Sequence, residues 1–367
     1  MSGPKLTGAV VGCRGMGRWH AKALHLATAC NLTAICDLNE ALAQEVAAEY
    51  PGVRAYADLD RMLATEQPDI IAIATPNTSH AALTLRCAAA GVRGICCEKP
   101  MAICLADAKA MTAGCRERGI PLIIHHQRRM LGSLVRMREL IVEGAIGEVQ
   151  LLRGSCQGDL LTDGTHVLDS LLHLAGDADA ERVFGGIFRL PPPPDEAPSM
   201  GFQAAGGYRY GHPVESGAFG IVEFRNGLRA EVLCGKLHPA GRQYQDYEVL
   251  GTRGRLWRTG DRDQPGVLIQ TAGSSDWRPI DAPSDDHEQL MARVYDRFAA
   301  GIRAGTAHEH PLCADRALRG FEILMAIYEA ARRHAQIELP LRQERFPLAL
   351  LLEDLAGGAP SGTMETP

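Results

Sequence analysis

Short apolar runs alternate with amphipathic stretches along the first third of the chain. Residues 6–11, 32–36, 53–57, 69–74 (with Ile70, Ile71 and Ile73), 94–99 and 120–125 have the length and composition of strands buried on both faces. Between them, 18–29, 40–50, 58–65, 78–90 and 103–118 read as helices. In 40–50, Leu42, Val46 and Tyr50 recur every fourth residue, and Pro51 ends the run. Repeated strand–helix units of this length predict a doubly wound parallel sheet.

The pattern then changes. A packing helix is expected over 131–144, a strand over 148–156 and a helix with His166 in its first turn that ends at Gly176, which supplies the C-cap. Further strands are expected over 182–190, 217–225, 228–237, 244–250 and 254–258, with Asn226-Gly227 as a hairpin turn. Helices 286–304 and 313–335 are expected to complete this half. The fold class expected is therefore α/β: an N-terminal Rossmann domain over 1–126, then an α+β substrate-binding and oligomerisation domain over 127–345. The second domain should carry a large open, mostly antiparallel sheet, whose exposed face offers a surface for a homodimer or homotetramer. Residues 346–367 form an extension, its Gly/Pro/Ser/Thr end expected to be disordered. The segment 190–216, with Pro191 to Pro194, reads equally as a lid, an arm to a neighbouring subunit or a disordered loop.

Composition narrows the function classes. The chain has 367 residues, 46% hydrophobic and 22% charged, enough for two globular domains. A net charge of −6 argues against nucleic acid or an anionic membrane as main partner. No apolar run approaches the ~20 residues of a membrane span, and no secretory signal is evident. Eleven cysteines, most in apolar stretches and none in a CxxC pair, read as free thiols in a reducing cytoplasm. His308, His310 and Cys313 read as a hinge loop, so no metal is expected.

Candidate chemistry sits at the carboxyl ends of the first strands, where open α/β sheets bind ligands. The strand 6–11 runs into Gly12-Cys13-Arg14-Gly15-Met16-Gly17 and then a helix. A glycine turn there frees helix N–H groups for a pyrophosphate. Arg14 stands where the G-x-G-x-x-G pattern has its second glycine. Asp37 ends the second strand, twenty residues beyond Gly17, where an acid reaches ribose hydroxyls; its alternative role is to cap helix 40–50. Asp37 favours NAD, while Arg14 leaves NADP open. Thr75-Pro76-Asn77-Thr78-Ser79-His80 follows the fourth strand, and Asn77 either bonds a ribose or caps the next helix. Glu98-Lys99-Pro100 follows the fifth. In the second half, His166, Asp169, Ser170 and His173 share one helical face, and Asp163 is a candidate cap.

The glycine turn, Asp37, the 75–80 loop, Glu98-Lys99-Pro100 and the run Gly144-Ala145-Ile146-Gly147-Glu148-Val149 together resemble the Gfo/Idh/MocA oxidoreductase family, over about residues 5 to 340. The resemblance implies that Lys99 lies beside the nicotinamide and the reacting hydroxyl, with Glu98 on the cofactor side. It matches His166 and Asp169 to the family's histidine and aspartate, and Arg129 to an arginine that could face substrate. The family often has an acid four residues before that histidine; Thr162 stands there, with Asp163 one step later. On this reading the cofactor contacts are Gly12, Arg14, Gly15, Met16, Gly17, Asp37, Thr75, Pro76, Asn77, His80, Glu98 and Lys99. His166 is the base, Lys99 stabilises the developing alkoxide, and Asp169 orients His166 or holds a neighbouring hydroxyl. A cleft lined by Lys99, Arg129, Thr162, Asp163, His166 and Asp169 suits a polyhydroxylated substrate such as a sugar or inositol. Two other readings share these residues: a non-catalytic NAD(P)-sensing regulator, and an NAD-dependent glycosidase that uses transient oxidation.

Overall fold

The computed structural model describes residues 4–188, 207–260, 266–284 and 286–356. Part of the proline-rich segment (189–206) and the tail from 357, both singled out above, lie outside the described residues.

The first half forms β1 (Leu6–Val11), α1 (Met16–Leu26), β2 (Cys30–Cys36), α2 (Glu40–Ala47), β3 (Arg54–Tyr56), α3 (Leu59–Glu66), β4 (Ile70–Ile73), α4 (His80–Ala89), β5 (Gly94–Cys97), α5 (Leu105–Glu117) and β6 (Leu122–Ile124). The six strands pair in parallel in the order β3-β2-β1-β4-β5-β6. The order reverses between β1 and β4, which opens a crevice beyond their carboxyl ends. β4 and β5 are buried on every residue, which is why they read as unbroken apolar runs.

The second half begins with α6 (Gly132–Val142), β7 (Val149–Cys156), α7 (Thr165–Leu174) and β8 (Ala180–Phe188). There follow a hairpin, β9 (Gly207–Arg209) and β10 (His212–Val214), then β11 (Gly217–Phe224), β12 (Arg229–Gly235), β13 (Gln245–Gly251), β14 (Gly254–Thr259), β15 (Gly266–Thr271) and β16 (Arg278–Ile280). The chain closes with α8 (His287–Ala304), α9 (Ala314–Arg333), β17 (Ile337–Glu338) and α10 (Pro347–Ala356). Nine strands form one mixed sheet, β16-β15-β14-β13-β7-β12-β11-β8-β17. It is antiparallel except where β7 meets β12. α7 and α9 cover one face, while Phe184 and Phe188 are about half exposed on the other.

One packing relation departs from the linear reading. Met291, Val294, Tyr295 and Phe298 of α8 do not pack on the second sheet. They share a core with Leu6, Val10, Ala21 and Leu24 of β1 and α1. The loop after α8 also reaches the first sheet, through an Ile123–Cys313 bridge. The apolar stripe of α1 is thus covered by a helix that follows it by some 260 residues, a relation that periodicity alone does not carry.

Candidate active site

Backbone crowding shapes the cofactor side. Gly12 has φ 91°, and a Cβ there would lie 2.6 Å from the Ala74 carbonyl oxygen; a Cβ on Gly17 would lie 1.9 Å from the Gly12 oxygen. α1 therefore starts tightly behind β1. It has no side-chain cap and no acidic residue in its first turn, so its leading N–H groups suit an anion. Asp37 accepts from the Cys13 N–H (2.8 Å) and the Asn39 N–H (2.9 Å), bracing the glycine turn from the neighbouring strand. The cap of α2 is made by Asn39, which accepts from the Leu42 N–H. Arg14 and Gly15 are exposed and Met16 half-buried. A cavity of about 400 Å³ opens there, lined by Arg14, Gly15, Arg18, Asn39 and Leu42.

The loop after β4 carries Thr75, whose Oγ1 bonds Ser79 Oγ at 2.7 Å, and Pro76, which is exposed. Asn77 Nδ2 donates to His212 Nε2 at 3.0 Å, while its Oδ1 is buried without a partner. His80 is buried with its two ring nitrogens each 2.9 Å from a carbonyl oxygen, those of Thr75 and Pro100. It ties the loop to the chain just past Lys99. Burial holds its pKa down, so the neutral ring donates to one carbonyl at a time. The uncapped helix, the cleared glycine turn and the orphaned Asn77 Oδ1 fit a dinucleotide.

β5 ends at Glu98 and Lys99. Glu98 is buried and accepts from His20 Nε2 (2.9 Å) and His125 Nδ1 (2.8 Å). Burial works to raise its pKa, but these N–H groups outweigh that and hold it well below the usual carboxylate range. His20 Nδ1 in turn meets the Tyr295 hydroxyl of α8. Lys99 is half-buried, and its ammonium crosses to the second half to donate to the Thr162 carbonyl oxygen at 3.0 Å.

Thr162 lies in a π-helical turn, Leu160–Gly164, which leads directly into α7. His166, in the first turn of α7, is buried. Burial first, then the charges of Lys99 and Arg128, hold its pKa well below the ordinary histidine value. Its Nδ1 is enclosed without a partner, which leaves Nε2 as the nitrogen able to reach a substrate. The polar face of α7 is largely shut off from water: His166, Asp169 and Ser170 are buried and His173 is half-buried.

Two acids stand elsewhere than expected. The Asp169 carboxylate does not turn to His166. It takes Nε and Nη2 of Arg129 at 2.9–3.2 Å, and Arg129 Nη1 reaches Asp177 at 2.8 Å. Burial works to raise the Asp169 pKa, but the Arg129 charge outweighs it and lowers it. Arg129, 2% exposed, is thus held by carboxylates. Asp163 is not the cap of α7. It accepts from Arg209 Nη1 (2.9 Å) and from the Tyr244 hydroxyl. The capping role in this turn falls to Asp159, which accepts from the Thr162 N–H (2.7 Å) and from Arg209 (2.9 Å). Beneath it, Glu215 accepts from the Leu160 N–H and the Tyr328 hydroxyl; burial, then Asp159, pushes its pKa up to about 7.

The site therefore joins Lys99, Thr162 and His166 across the two sheets, with Glu98 and Asp163 braced behind them. His20, His125, Arg209 and His212 were missed by sequence reasoning. His20 follows Gly17 by three residues and so lies on the inner side of α1, a signal that was available. Nothing local marks the other three. His308 is exposed, and His310 is buried with Nδ1 accepting from the Leu312 N–H, so the loop between α8 and α9 does not gather its histidines.

Two family models match the chain: an oxidoreductase family NAD-binding Rossmann fold over residues 6–126, and the same family's C-terminal alpha/beta domain over 138–339. The chain is 35% identical to D-apiose dehydrogenase of Paraburkholderia graminis over 39% of this chain and 38% of that protein. It is 25% identical to levoglucosan dehydrogenase of Pseudarthrobacter phenanthrenivorans over 83% of this chain and 89% of that protein. The chain spans 38 to 60% of the lengths of the first curated relatives it matches. A solved structure of levoglucosan dehydrogenase with NADH and L-sorbose shares the fold, with a TM-score of 0.76 at 21% identity over 92% of this chain and all of that one. With matching models over both halves, the nine-stranded second sheet and the glycine turn behind β1, this chain belongs to the Gfo/Idh/MocA oxidoreductase family.

Proposed function

We propose that this protein is an NAD-dependent dehydrogenase or reductase acting on a CH–OH group of a sugar, inositol or related polyol. The observation that carries this reading is the crossing of Lys99 from the mouth of the first sheet to Thr162, four residues before His166. A cation and a neutral imidazole then meet at one cleft. NAD, when bound, supplies a hydride acceptor at its nicotinamide, and the uncapped start of α1 and Asp37 would hold its pyrophosphate and ribose. Lys99 would hold the substrate oxygen and stabilise its charge as the proton leaves. His166, kept neutral by burial and by Lys99, would take that proton at Nε2. Asp163, with both oxygens already engaged, would orient a neighbouring hydroxyl through Tyr244 rather than move the reacting proton. The names of relatives acting on apiose, levoglucosan and inositol support the substrate class. The two flanking domains are read as 1–126 for the cofactor and 127–345 for the substrate, with α8 lent back to the first. Phe184 and Phe188 on the open face of the second sheet support self-association there. No described helix is long and apolar enough to cross a membrane.

The test is a panel of aldoses and inositols with NAD, followed at the NADH absorbance. Lys99→Met should bind NAD within a few-fold of the parent and lose about 10²- to 10³-fold in kcat. A near-normal kcat in that variant would remove Lys99 from the chemistry.

A further inference from the structure

The hairpin β9–β10 belongs to neither sheet, yet it touches both sides of the cleft. Arg209 and His212 are direct cross-strand partners in it. His212 donates from Nδ1 to the Pro213 carbonyl oxygen (3.1 Å), which leaves Nε2 to accept from Asn77 of the loop after β4. Arg209, 3% exposed, places a single nitrogen, Nη1, 2.9 Å from both Asp159 and Asp163. Both acids are themselves buried. From Asp159 the chain of contacts runs to the Thr162 N–H (2.7 Å), and from the Thr162 carbonyl oxygen to Lys99 Nζ (3.0 Å). Two buried carboxylates in one turn repel each other unless a cation stands between them. Arg209 is that cation. The π-helical turn, an uncommon backbone form that tends to occur at functional sites, is closed on the outside by it.

We propose that Arg209 is a positioning residue for the substrate side of the cleft. It acts through Asp159 and Asp163, setting the turn that presents Thr162 to Lys99 and the Asp163–Tyr244 pair to a substrate hydroxyl. The contact of the hairpin with Asn77 of the loop after β4 is made by His212, so Arg209 itself serves the substrate side. This rests on the redox reading above for its kinetic readout and on geometry alone for the rest.

The experiment compares Arg209→Gln and Arg209→Lys with the parent in three measurements: steady-state kinetics on the best sugar, NAD affinity, and deuterium uptake of the peptide covering 157–166. Arg209→Gln should raise the sugar KM about tenfold or more, lower kcat, leave the NAD Kd within about threefold, and speed exchange in 160–164. Arg209→Lys should recover most of kcat and of the protection, because one nitrogen suffices to bridge both acids. Parental KM, kcat and exchange in the glutamine variant would overturn the inference. So would NAD affinity falling in step with the sugar KM, or a lysine variant no better than glutamine. If Arg209→Gln does not fold, Asp159→Asn/Arg209→Gln removes the charge imbalance; the KM rise should persist, and a parental KM would overturn the inference. A parent that turns over no sugar sinks the redox reading alone, while the exchange and NAD measurements still decide the role of Arg209.

Discussion

Replacing Asp169 by asparagine separates two roles that one residue could have. The family resemblance implies that Asp169 orients the His166 imidazole or holds a neighbouring hydroxyl, whereas the structure gives its carboxylate to Arg129. The substitution keeps the shape and removes the charge. Arg129 then retains Asp177 at 2.8 Å and the Asp169 carbonyl oxygen at 3.1 Å, and loses the carboxylate that faced its Nε and Nη2. Breaking a buried pair by removing one partner costs about 3–5 kcal/mol. Asp177 is 28% exposed in its side chain and is shared with Arg316, so it compensates partly and the lower end applies, about 3 kcal/mol. For a chain of this length that is a fall in the unfolding midpoint of about 4 °C. Urea and thermal unfolding of Asp169→Asn should show this loss, while the pH profile of kcat/KM keeps its shape. Restoring an apolar pair, Arg129→Met with Asp169→Leu, should recover much of it. Unchanged stability together with a displaced pH profile would mean that Asp169 acts on His166 and that the Arg129 pairing is incidental.

Two further outcomes follow from packing and burial. Gly17→Ala puts a methyl 1.9 Å from the Gly12 oxygen and should lower NAD affinity about a hundredfold, whereas Gly15→Ala meets no atom within 4 Å and carries only the backbone cost of its φ 42° and ψ −107°, about 1–3 kcal/mol of stability; equal losses of NAD affinity in the two by calorimetry would refute the crowding argument. His125 and His310 are buried with pKa values held at about 4, first by burial, so the unfolded chain binds their protons from about pH 6.5 downward while the folded chain does not. Their contribution is full above that value and is lost as pH falls towards 4, about 3 kcal/mol each at pH 4; unfolding free energy flat between pH 7 and 4.5 would contradict this.

The first sheet was legible because its strands are buried on both faces and read as runs, and because glycine, proline and acid mark its strand ends. Lys99 was legible for the same reason: an ammonium after a wholly apolar strand has few places to go but the sheet's mouth. The second half was legible in its longer strands, where buried and half-buried residues alternate, as in β12 and β13. The short strands β9, β10, β16 and β17 lack enough residues for any period to show. For Arg129 and Asp163 the sequence shows that the charges exist, not which groups they pair with. Their partners Asp169, Asp177, Arg209 and Tyr244 lie 40 to 81 positions away. Glu98, which the resemblance puts on the cofactor side, also takes His20, three residues past the glycine turn, and His125, just past β6, pairings that the sequence does not announce.

Because α8 seals the apolar stripe of α1, the nucleotide-binding half is unfinished when its last strand leaves the ribosome. Translation at roughly 5–20 residues per second leaves Leu24 and Val10 facing solvent for about ten seconds or more before Tyr295 and Phe298 emerge. Through that interval the nascent polypeptide presents a greasy groove shaped for one helix, and anything that shields it, a chaperone above all, stands in for a segment not yet made.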